Sequence, residues 1–331
     1  MQHTTDSAKA VRIHATGGPE ALVFEDLALD EPAPGQVRIR QTAIGLNFID
    51  TYHRSGLYPL PSLPHGIGME AAGVVDGVGS DVADLRQGQR VAYASGPPGA
   101  YAESRVVAAD RVVALPDTID ERTGAAILLK GLTAEYLIRR TFRVEPGMFV
   151  LFHAAAGGVG LLACQWLSHL GAIVIGTVGS DAKAVLALAN GCKHVINYTR
   201  EDVPARVKSL TGNAGVHVVY DGVGQATFAA SLASLRPRGM LVSFGNASGA
   251  PTTFDPMELA RRGSLYLTRP TLADYTRDRQ ELLTSAEALF DVVTAGVVKP
   301  HINQTWPLRE AIAAHQALEA RQTVGSSLLI A

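Results

Sequence analysis

The chain has 331 residues, 47% of them hydrophobic and 18% charged, with a net charge of −2. That is ordinary globular composition with room for two cored domains. Lys and Arg are scattered, so no nucleic-acid footprint is visible. No charged start leads into an apolar leader and no apolar run is long enough to cross a bilayer, which makes the cytoplasm the expected location. The two cysteines, Cys164 and Cys192, form no CxxC and exclude a four-ligand structural zinc lobe. Cys164 reads as a small core residue.

Residues up to about 120 read as all-β. Strands are expected over Val37 to Ala43, Ala71 to Val78, Arg90 to Ala94, Ala100 to Val107 and Arg111 to Leu115, with glycine and proline punctuation between them. Short strands at this spacing suggest a compact barrel-like domain. Asp120 to Arg140 reads as helical. From Gly147 the rhythm becomes strand–helix alternation, with strands over Phe149 to Phe152, Ile173 to Val178, His194 to Tyr198, Val216 to Tyr220 and Met240 to Gly245. Helices are expected from about Asp181 to Asn190, Val203 to Leu210 and Ala226 to Leu235. Such alternation gives an α/β domain, a doubly wound parallel sheet covered by helices. Ser264 to Pro270 is a further strand candidate. Helices around Asp278 to Ala295 and Leu308 to Ala320 then precede a last strand, Ser326 to Ile330.

The glycine turn after the first α/β strand is the motif with chemical content. Phe152-His-Ala-Ala-Ala-Gly-Gly-Val-Gly160 sits between a buried strand and a helix, and Ala155, Gly157 and Gly160 take the three glycine positions of a dinucleotide fingerprint. Backbone N–H groups and the helix dipole there suit a pyrophosphate. A carboxylate about 20 residues on would hold the ribose 2′-OH of NAD. Here the second strand ends Thr177-Val178-Gly179-Ser180 with no carboxylate, and Lys183 follows within one helical turn. That combination fits the 2′-phosphate of NADPH. Asp181 lies between and reads as an N-terminal helix residue facing the dipole. Tyr198 closes the adenine side.

The chain resembles the zinc-independent quinone oxidoreductases, relatives of zeta-crystallin within the medium-chain dehydrogenase/reductase superfamily. The resemblance rests on Ala43-Ile-Gly-Leu-Asn-Phe-Ile-Asp-Thr-Tyr52, Arg54-Ser-Gly-Leu-Tyr58, the glycine turn, Val242-Ser-Phe-Gly-Asn246, Gly263-Ser-Leu-Tyr-Leu-Thr-Arg-Pro270 and Gly325-Ser-Ser-Leu-Leu-Ile330. It implies a GroES-like β-barrel domain, residues 1–128 with 268–331, and a Rossmann domain, 129–267. It also implies a homodimer joined through Rossmann edge strands, with Ser264 to Pro270 as the expected edge. In zinc-dependent relatives a ligand cysteine stands at the position of Asn47 and a ligand histidine at that of Met69. Neither residue here is a usual zinc ligand, so no catalytic metal is expected.

The same resemblance implies site roles. Asn47 and Tyr52 border the nicotinamide and the substrate, Phe48 and Asp50 belong to the same cofactor-binding stretch, and Tyr136 lies opposite. Gly157, Gly158 and Val159 carry the pyrophosphate turn. Gly179, Ser180, Lys183 and Tyr198 hold the 2′-phosphate and its ribose. Phe244, Gly245 and Asn246 follow the fifth strand, and Arg321 reaches the cofactor from the C-terminal helix. Relatives often carry serine where this chain has Gly222, which leaves only backbone contacts there. His153 reads as a satisfied core histidine.

The implied activity is NADPH-dependent reduction of a quinone or another electron-poor acceptor. Reducing equivalents leave the nicotinamide C4 without a Lewis acid, and Asn47 and Tyr52 orient the acceptor. An enone or enal double-bond reductase needs the same placement plus a proton donor, for which Tyr52 is the candidate. A nucleotide- or RNA-binding role, known among zeta-crystallin relatives, is disfavoured by the missing basic stripe.

Overall fold

The computed structural model describes residues 7–331. The chain forms two compact units, one of Met1–Leu129, Thr276–Phe290 and Ile302–Ala331, the other of Lys130–Tyr275 and Asp291–His301. Among the described residues no helix is long and apolar enough to cross a membrane.

The first unit is built on β1 (Ser7–Ile13), β2 (Leu22–Ala28), β3 (Gln36–Leu46), β4 (His65–Gly66), β5 (Glu70–Val78), β6 (Arg90–Tyr93), β7 (Ser104–Ala108) and β8 (Val112–Ala114). The helices α1 (Phe48–Ser55) and α2 (Glu121–Glu135) follow β3 and β8. β1, β2 and β4 make a three-stranded sheet, while β3, β5, β6 and β8 continue a larger one that β7 joins by pairing with β3. β3 shows why the alternating pattern was readable: Val37 and Ile39 are fully buried, and Arg38 ion-pairs with Asp76 at 2.9 Å on the outer side. Beyond Gln41 the register with β5 shifts, and Ala43 to Leu46 are all buried. Gly73 permits this bulge, because a Cβ there would sit 2.1 Å from the Arg40 carbonyl oxygen. The bulge delivers the chain into Asn47 and α1.

The helix α1 lies inside the stretch expected to be all-β. Asn47 and Asp50 form a capping box at its start, in which the Asp50 carboxylate accepts from the Asn47 backbone N–H at 2.8 Å. Gly56, left-handed at φ 83°, ends it. The hairpin β1–β2 was also unforeseen; it buries Ala8, Ala10, Val11, Ile13 and Leu22 and carries the cross-strand pairs Lys9–Asp26 and Arg12–Glu25. The strand expected from Ala100 forms only from Ser104.

The second unit alternates β9 (Phe149–Phe152), α3 (Gly158–His169), β10 (Ile173–Val178), α4 (Asp181–Ala189), β11 (His194–Asn197), α5 (Val203–Leu210), β12 (Val216–Asp221), α6 (Phe228–Ser234), β13 (Leu235–Ser243), α7 (Met257–Arg261), β14 (Tyr266–Thr268) and α8 (Leu272–Tyr275). Its six strands run in the order β11-β10-β9-β12-β13-β14, and every pairing is parallel. This is the doubly wound order, with its switch point between β9 and β12. Val150, Leu151, Val174, Ile175, Val218, Val219, Leu241 and Val242 are all fully buried, as a sheet covered on both faces requires. Both free thiols, Cys164 and Cys192, are buried in this unit. Residues Tyr136–Thr141, expected as a plain continuation of α2, widen into a π-helix.

Past α8 come α9 (Arg279–Thr294), β15 (Ile302–Pro307), α10 (Ala311–Glu319) and β16 (Ser326–Ile330). β16 pairs antiparallel with β3 and parallel with β15, so the last strand completes the large sheet of the first unit. α10 supplies a buried chain of polar contacts to α1. The Arg54 guanidinium grips Glu319 at 2.7 and 3.1 Å and meets His315 Nδ1 at 2.8 Å. His315 Nε2 lies 3.0 Å from the Tyr101 hydroxyl, which donates to Asp50 Oδ2 at 2.9 Å. One direction of donation satisfies the chain: Arg54 to His315, His315 Nε2–H to Tyr101, Tyr101 to Asp50. It requires a neutral imidazole.

Burial and the neighbouring Arg54 hold His315 down at about 3, against 6.5 for a free histidine. Burial likewise lowers His53 to about 4. Between pH 6.5 and these values the unfolded chain binds protons that the folded chain refuses, so stability falls as pH drops below 6.5. His315→Gln should be less stable at pH 7 but lose stability less steeply below pH 6.5, by about one proton's slope. Urea unfolding at several pH values checks this, and an unchanged acid slope in the variant would refute it.

Candidate active site

The expected pyrophosphate, 2′-phosphate and nicotinamide-ribose loops of the second unit leave the C-terminal ends of its parallel strands. After β9, the His153 N–H donates to Tyr220 O and the Ala155 N–H to Thr177 O, each at 3.0 Å, so neighbouring strands pin the turn from both sides. Ala154 takes the left-handed conformation at φ 53°, a strain of about 1 kcal/mol for a residue with a Cβ. Gly157 is the N-cap of α3, and the first helical bond runs from Leu161 N–H to Gly157 O at 2.9 Å. The N–H groups of Gly158 and Val159 therefore belong to the first turn, where no intrahelical acceptor exists. Gly160 is needed for closeness: a Cβ there would meet Ala154 O at 2.5 Å and Ala155 Cα at 2.8 Å. The turn fits a pyrophosphate for these reasons.

His153 faces inward. Its Nδ1 lies 2.9 Å from Thr177 Oγ1 and its Nε2 3.0 Å from Ser231 Oγ, whose hydroxyl donates to Asp221 at 2.6 Å. Burial lowers its proton affinity against the opposing pull of Asp221. It is a satisfied core histidine tying the ends of β9, β10 and β12 to α6. Asp221 also accepts from the Val223 and Gly224 N–H groups and from Thr227, which shapes the loop around Gly222. That loop packs tightly on the segment after β13. A Cβ on Gly222 would lie 2.9 Å from the Phe244 ring, and one on Gly245 would lie 2.4 Å from Gly222 O. Glycine at position 222 thus makes room for Phe244, while Asn246 beyond it is buried. Arg269 donates to Ser243 O at 3.0 Å and fixes the strand end from which Phe244 departs.

At the end of β10, Ser180 is the N-cap of α4 and accepts from the Lys183 N–H at 3.3 Å. Tyr198 is 44% exposed, and its hydroxyl lies over Gly179, where a Cβ would approach it to 2.5 Å. Gly179, Ser180 and Tyr198 therefore meet at the N-terminus of α4, with Lys183 in its first turn. In the same unit the buried Tyr136 ring stacks on Tyr275, centroids 4.5 Å apart, at the start of the π-helix.

In the first unit, Asn47 and Asp50 are buried and Tyr52 is 8% exposed. The Asn47 amide donates to Gly45 O at 3.2 Å and to Glu70 Oε1 at 2.8 Å, and Glu70 Oε2 accepts from the Leu129 N–H at 2.7 Å. Gly45 allows the carboxylate to lie across the strand, since a Cβ there would fall 2.1 Å from Glu70 Oε1. Both amide hydrogens of Asn47 are thus committed, so towards a ligand its side chain can act only as an acceptor, through Oδ1. Asp50 turns its carboxylate toward Tyr101 and the α1 N-terminus. Tyr52 meets Tyr58 edge-on, centroids 5.2 Å apart. Phe48 opens α1, and Arg321 follows α10 in the left-handed conformation at φ 58°. Among the described residues no three His, Cys, Asp or Glu side chains group as a metal site.

Sequence reasoning missed Glu70, Arg269 and the His315–Tyr101 pair, all of which act through residues it did name. Only Glu70 left a local signal, because it adjoins Met69.

Two family models match the chain: an alcohol dehydrogenase GroES-like domain over residues 33–117 and a zinc-binding dehydrogenase over residues 158–287. A quinone oxidoreductase of Pseudomonas aeruginosa is 51% identical over 98% of this chain and 99% of its own length. A 2-haloacrylate reductase of a Burkholderia species is 46% identical over 97% of this chain and 98% of its own. The crystal structure of Escherichia coli quinone oxidoreductase complexed with NADPH superposes with a TM-score of 0.97 at 48% identity, covering 98% of this chain and all of that one. The chain belongs to the quinone oxidoreductases of the medium-chain dehydrogenase/reductase superfamily.

Proposed function

We propose that this protein is an NADPH-dependent quinone reductase that works without a catalytic metal. The observation that carries the reading is the near-complete match to quinone oxidoreductases at about half identity, together with a strand end built for phosphate rather than for a ribose 2′-OH. Bound NADPH supplies the reducing equivalents. Gly157, Gly158 and Val159 hold its pyrophosphate through backbone N–H groups and the α3 dipole. Gly179, Ser180, Lys183 and Tyr198 hold the 2′-phosphate and ribose. Gly222, Phe244, Gly245 and Asn246 line the nicotinamide ribose, with Tyr136, Phe48 and Arg321 completing the cofactor contacts. Asp50 contributes by fixing Asn47.

In this reading residues 129–267 carry the cofactor, and 1–128 with 268–331 form the acceptor side. A quinone is electron-poor enough to be reduced without a polarised carbonyl, and solvent protonates its oxygens. Tyr52 donates a hydrogen bond to the acceptor. Asn47, held by Glu70, offers its carbonyl oxygen to a donor on the cofactor. The protein acts as a cytoplasmic homodimer through β14, which ends the six-stranded sheet and exposes 57% of Tyr266.

The 46% identity to a 2-haloacrylate reductase favours a second reading, reduction of an activated C=C bond. That chemistry needs a proton delivered to carbon, for which Tyr52 is the donor.

Three outcomes are expected. Lys183→Glu abolishes the preference for NADPH over NADH in steady-state assays; an unchanged preference removes the phosphate assignment. Tyr52→Phe slows quinone turnover by less than ten-fold but slows 2-haloacrylate or enone reduction by about 100-fold, the usual worth of a positioned acid. Wild-type turnover of the enone above that of the quinone would reverse the ranking. Tyr266→Lys yields a monomer by light scattering, whereas an intact dimer would place the interface elsewhere.

A further inference from the structure

The phosphate cluster contains an acid that works against it. Asp181 opens α4 directly after the Ser180 cap, two residues before Lys183. A free carboxylate at this place accepts the ribose 2′-OH of NADH and repels the 2′-phosphate of NADPH. The structure does not leave it free. Asp181 Oδ1 accepts from Asn197 Nδ2 at 3.1 Å and forms an ion pair with the Arg200 guanidinium. Asn197 is buried at the end of β11 and locked on its other side, because its Oδ1 accepts from the Thr199 N–H and hydroxyl at 3.2 and 2.8 Å. The loop that carries Tyr198 toward Gly179 thus also carries the two groups that hold Asp181.

The remaining carboxylates of that loop are engaged as well. Glu201 accepts from the Asn197 N–H at 2.8 Å and lies 3.6 Å from Arg206, while Asp202 caps α5 through the Ala205 N–H at 2.7 Å. Arg200 is the cation set against Asp181 itself.

We propose that Arg200 determines cofactor specificity by pairing with Asp181. The pair cancels the carboxylate charge beside the phosphate site and withdraws the acceptor that would otherwise read a 2′-OH. This role rests on the assignment of the 2′-phosphate to Ser180, Lys183 and Tyr198. Arg200 is a positioning residue, acting through Asp181 rather than by touching the cofactor. Exposed ion pairs contribute little to stability, and the Arg200 and Asp181 side chains are 62% and 66% exposed. Replacing either leaves the fold intact and reports on recognition.

The test measures dissociation constants of NADPH, NADH, 2′,5′-ADP and 5′-ADP on the full chain by calorimetry. The proteins are wild type, Arg200→Ala, Asp181→Asn, the double variant and Lys183→Ala. A freed carboxylate near a phosphate of charge about −2 weakens NADPH and 2′,5′-ADP binding about five-fold in Arg200→Ala. NADH and 5′-ADP bind that variant no more weakly than wild type. Adding Asp181→Asn brings NADPH affinity back to within about two-fold of wild type, the signature of a shield.

An unchanged NADPH-to-NADH ratio in Arg200→Ala, with the ratio lost in Lys183→Ala, overturns the shield alone. A double variant as weak as Arg200→Ala also overturns it, because Arg200 would then be touching the phosphate directly. An unchanged ratio in Lys183→Ala overturns the phosphate site and the shield with it.

Discussion

The dinucleotide unit depends on one close approach. The chain leaves β9, turns through Ala154 and enters α3 so tightly that a single methyl at Gly160 would collide with the backbone of Ala154 and Ala155. Because β10 and β12 flank β9, their next-to-last residues, Thr177 and Tyr220, receive the N–H groups of Ala155 and His153. The turn is therefore held by the sheet rather than by its own residues, and it tolerates an alanine at φ 53°. Ala155, in the first glycine position of the fingerprint, needs no such conformation and is fixed instead by its N–H bond to Thr177 O. The glycine that matters most for helix packing is the third.

A second economy operates in the β unit. Relatives that use zinc place ligands where this chain has Asn47 and Met69. Here the same region is closed by hydrogen bonds, with Glu70 joining Asn47 to the Leu129 N–H. The carboxylate takes two donors in a fully buried place and leaves the amide of Asn47 with a defined face. The Arg54–His315–Tyr101–Asp50 chain then fixes the N-terminus of α1 from α10, about 260 residues later in sequence. The resulting arrangement positions an amide and a phenol.

Much of this was legible in the sequence, for physical reasons that also mark its limits. The parallel strands announced themselves as short apolar runs because a sheet covered on both faces admits little else. The last strand was read at its observed bounds, Ser326–Ile330. The helix α1 was missed because it is eight residues long and four of its five buried residues, Asp50, Thr51, His53 and Arg54, are polar. Its cap, Asn47 with Asp50 three residues on, was the available signal. β1 and β2 were missed although β1 buries Ala8, Ala10, Val11 and Ile13, because small alanines at two of those places and the interspersed Lys9 and Arg12 weaken its apolar signal. The π-helix at Tyr136 has no period of its own to detect. Among site residues, the named ones lie in motifs, whereas His315 and Arg269 become visible only when distant segments meet.

Gly222 and Asp181 show why motif departures need three dimensions. By sequence, Gly222 looks like a lost side-chain contact and Asp181 like an N-terminal helix residue facing the dipole. In the structure the missing Cβ at Gly222 is the space occupied by Phe244, and the carboxylate of Asp181 is turned into a β11 loop contact. Both are exchanges within one local packing problem. At the first, a polar contact gives way to an aromatic wall beside the strand ends. At the second, an acid is kept but its charge is answered by a neighbour on a different loop. Cofactor preference in such a site is a property of the net field at the helix N-terminus, to which every charge within a few ångströms contributes with its sign. Reading the one residue at the end of β10 samples that field at a single point and omits the charge of Arg200, which the loop after β11 sets against Asp181.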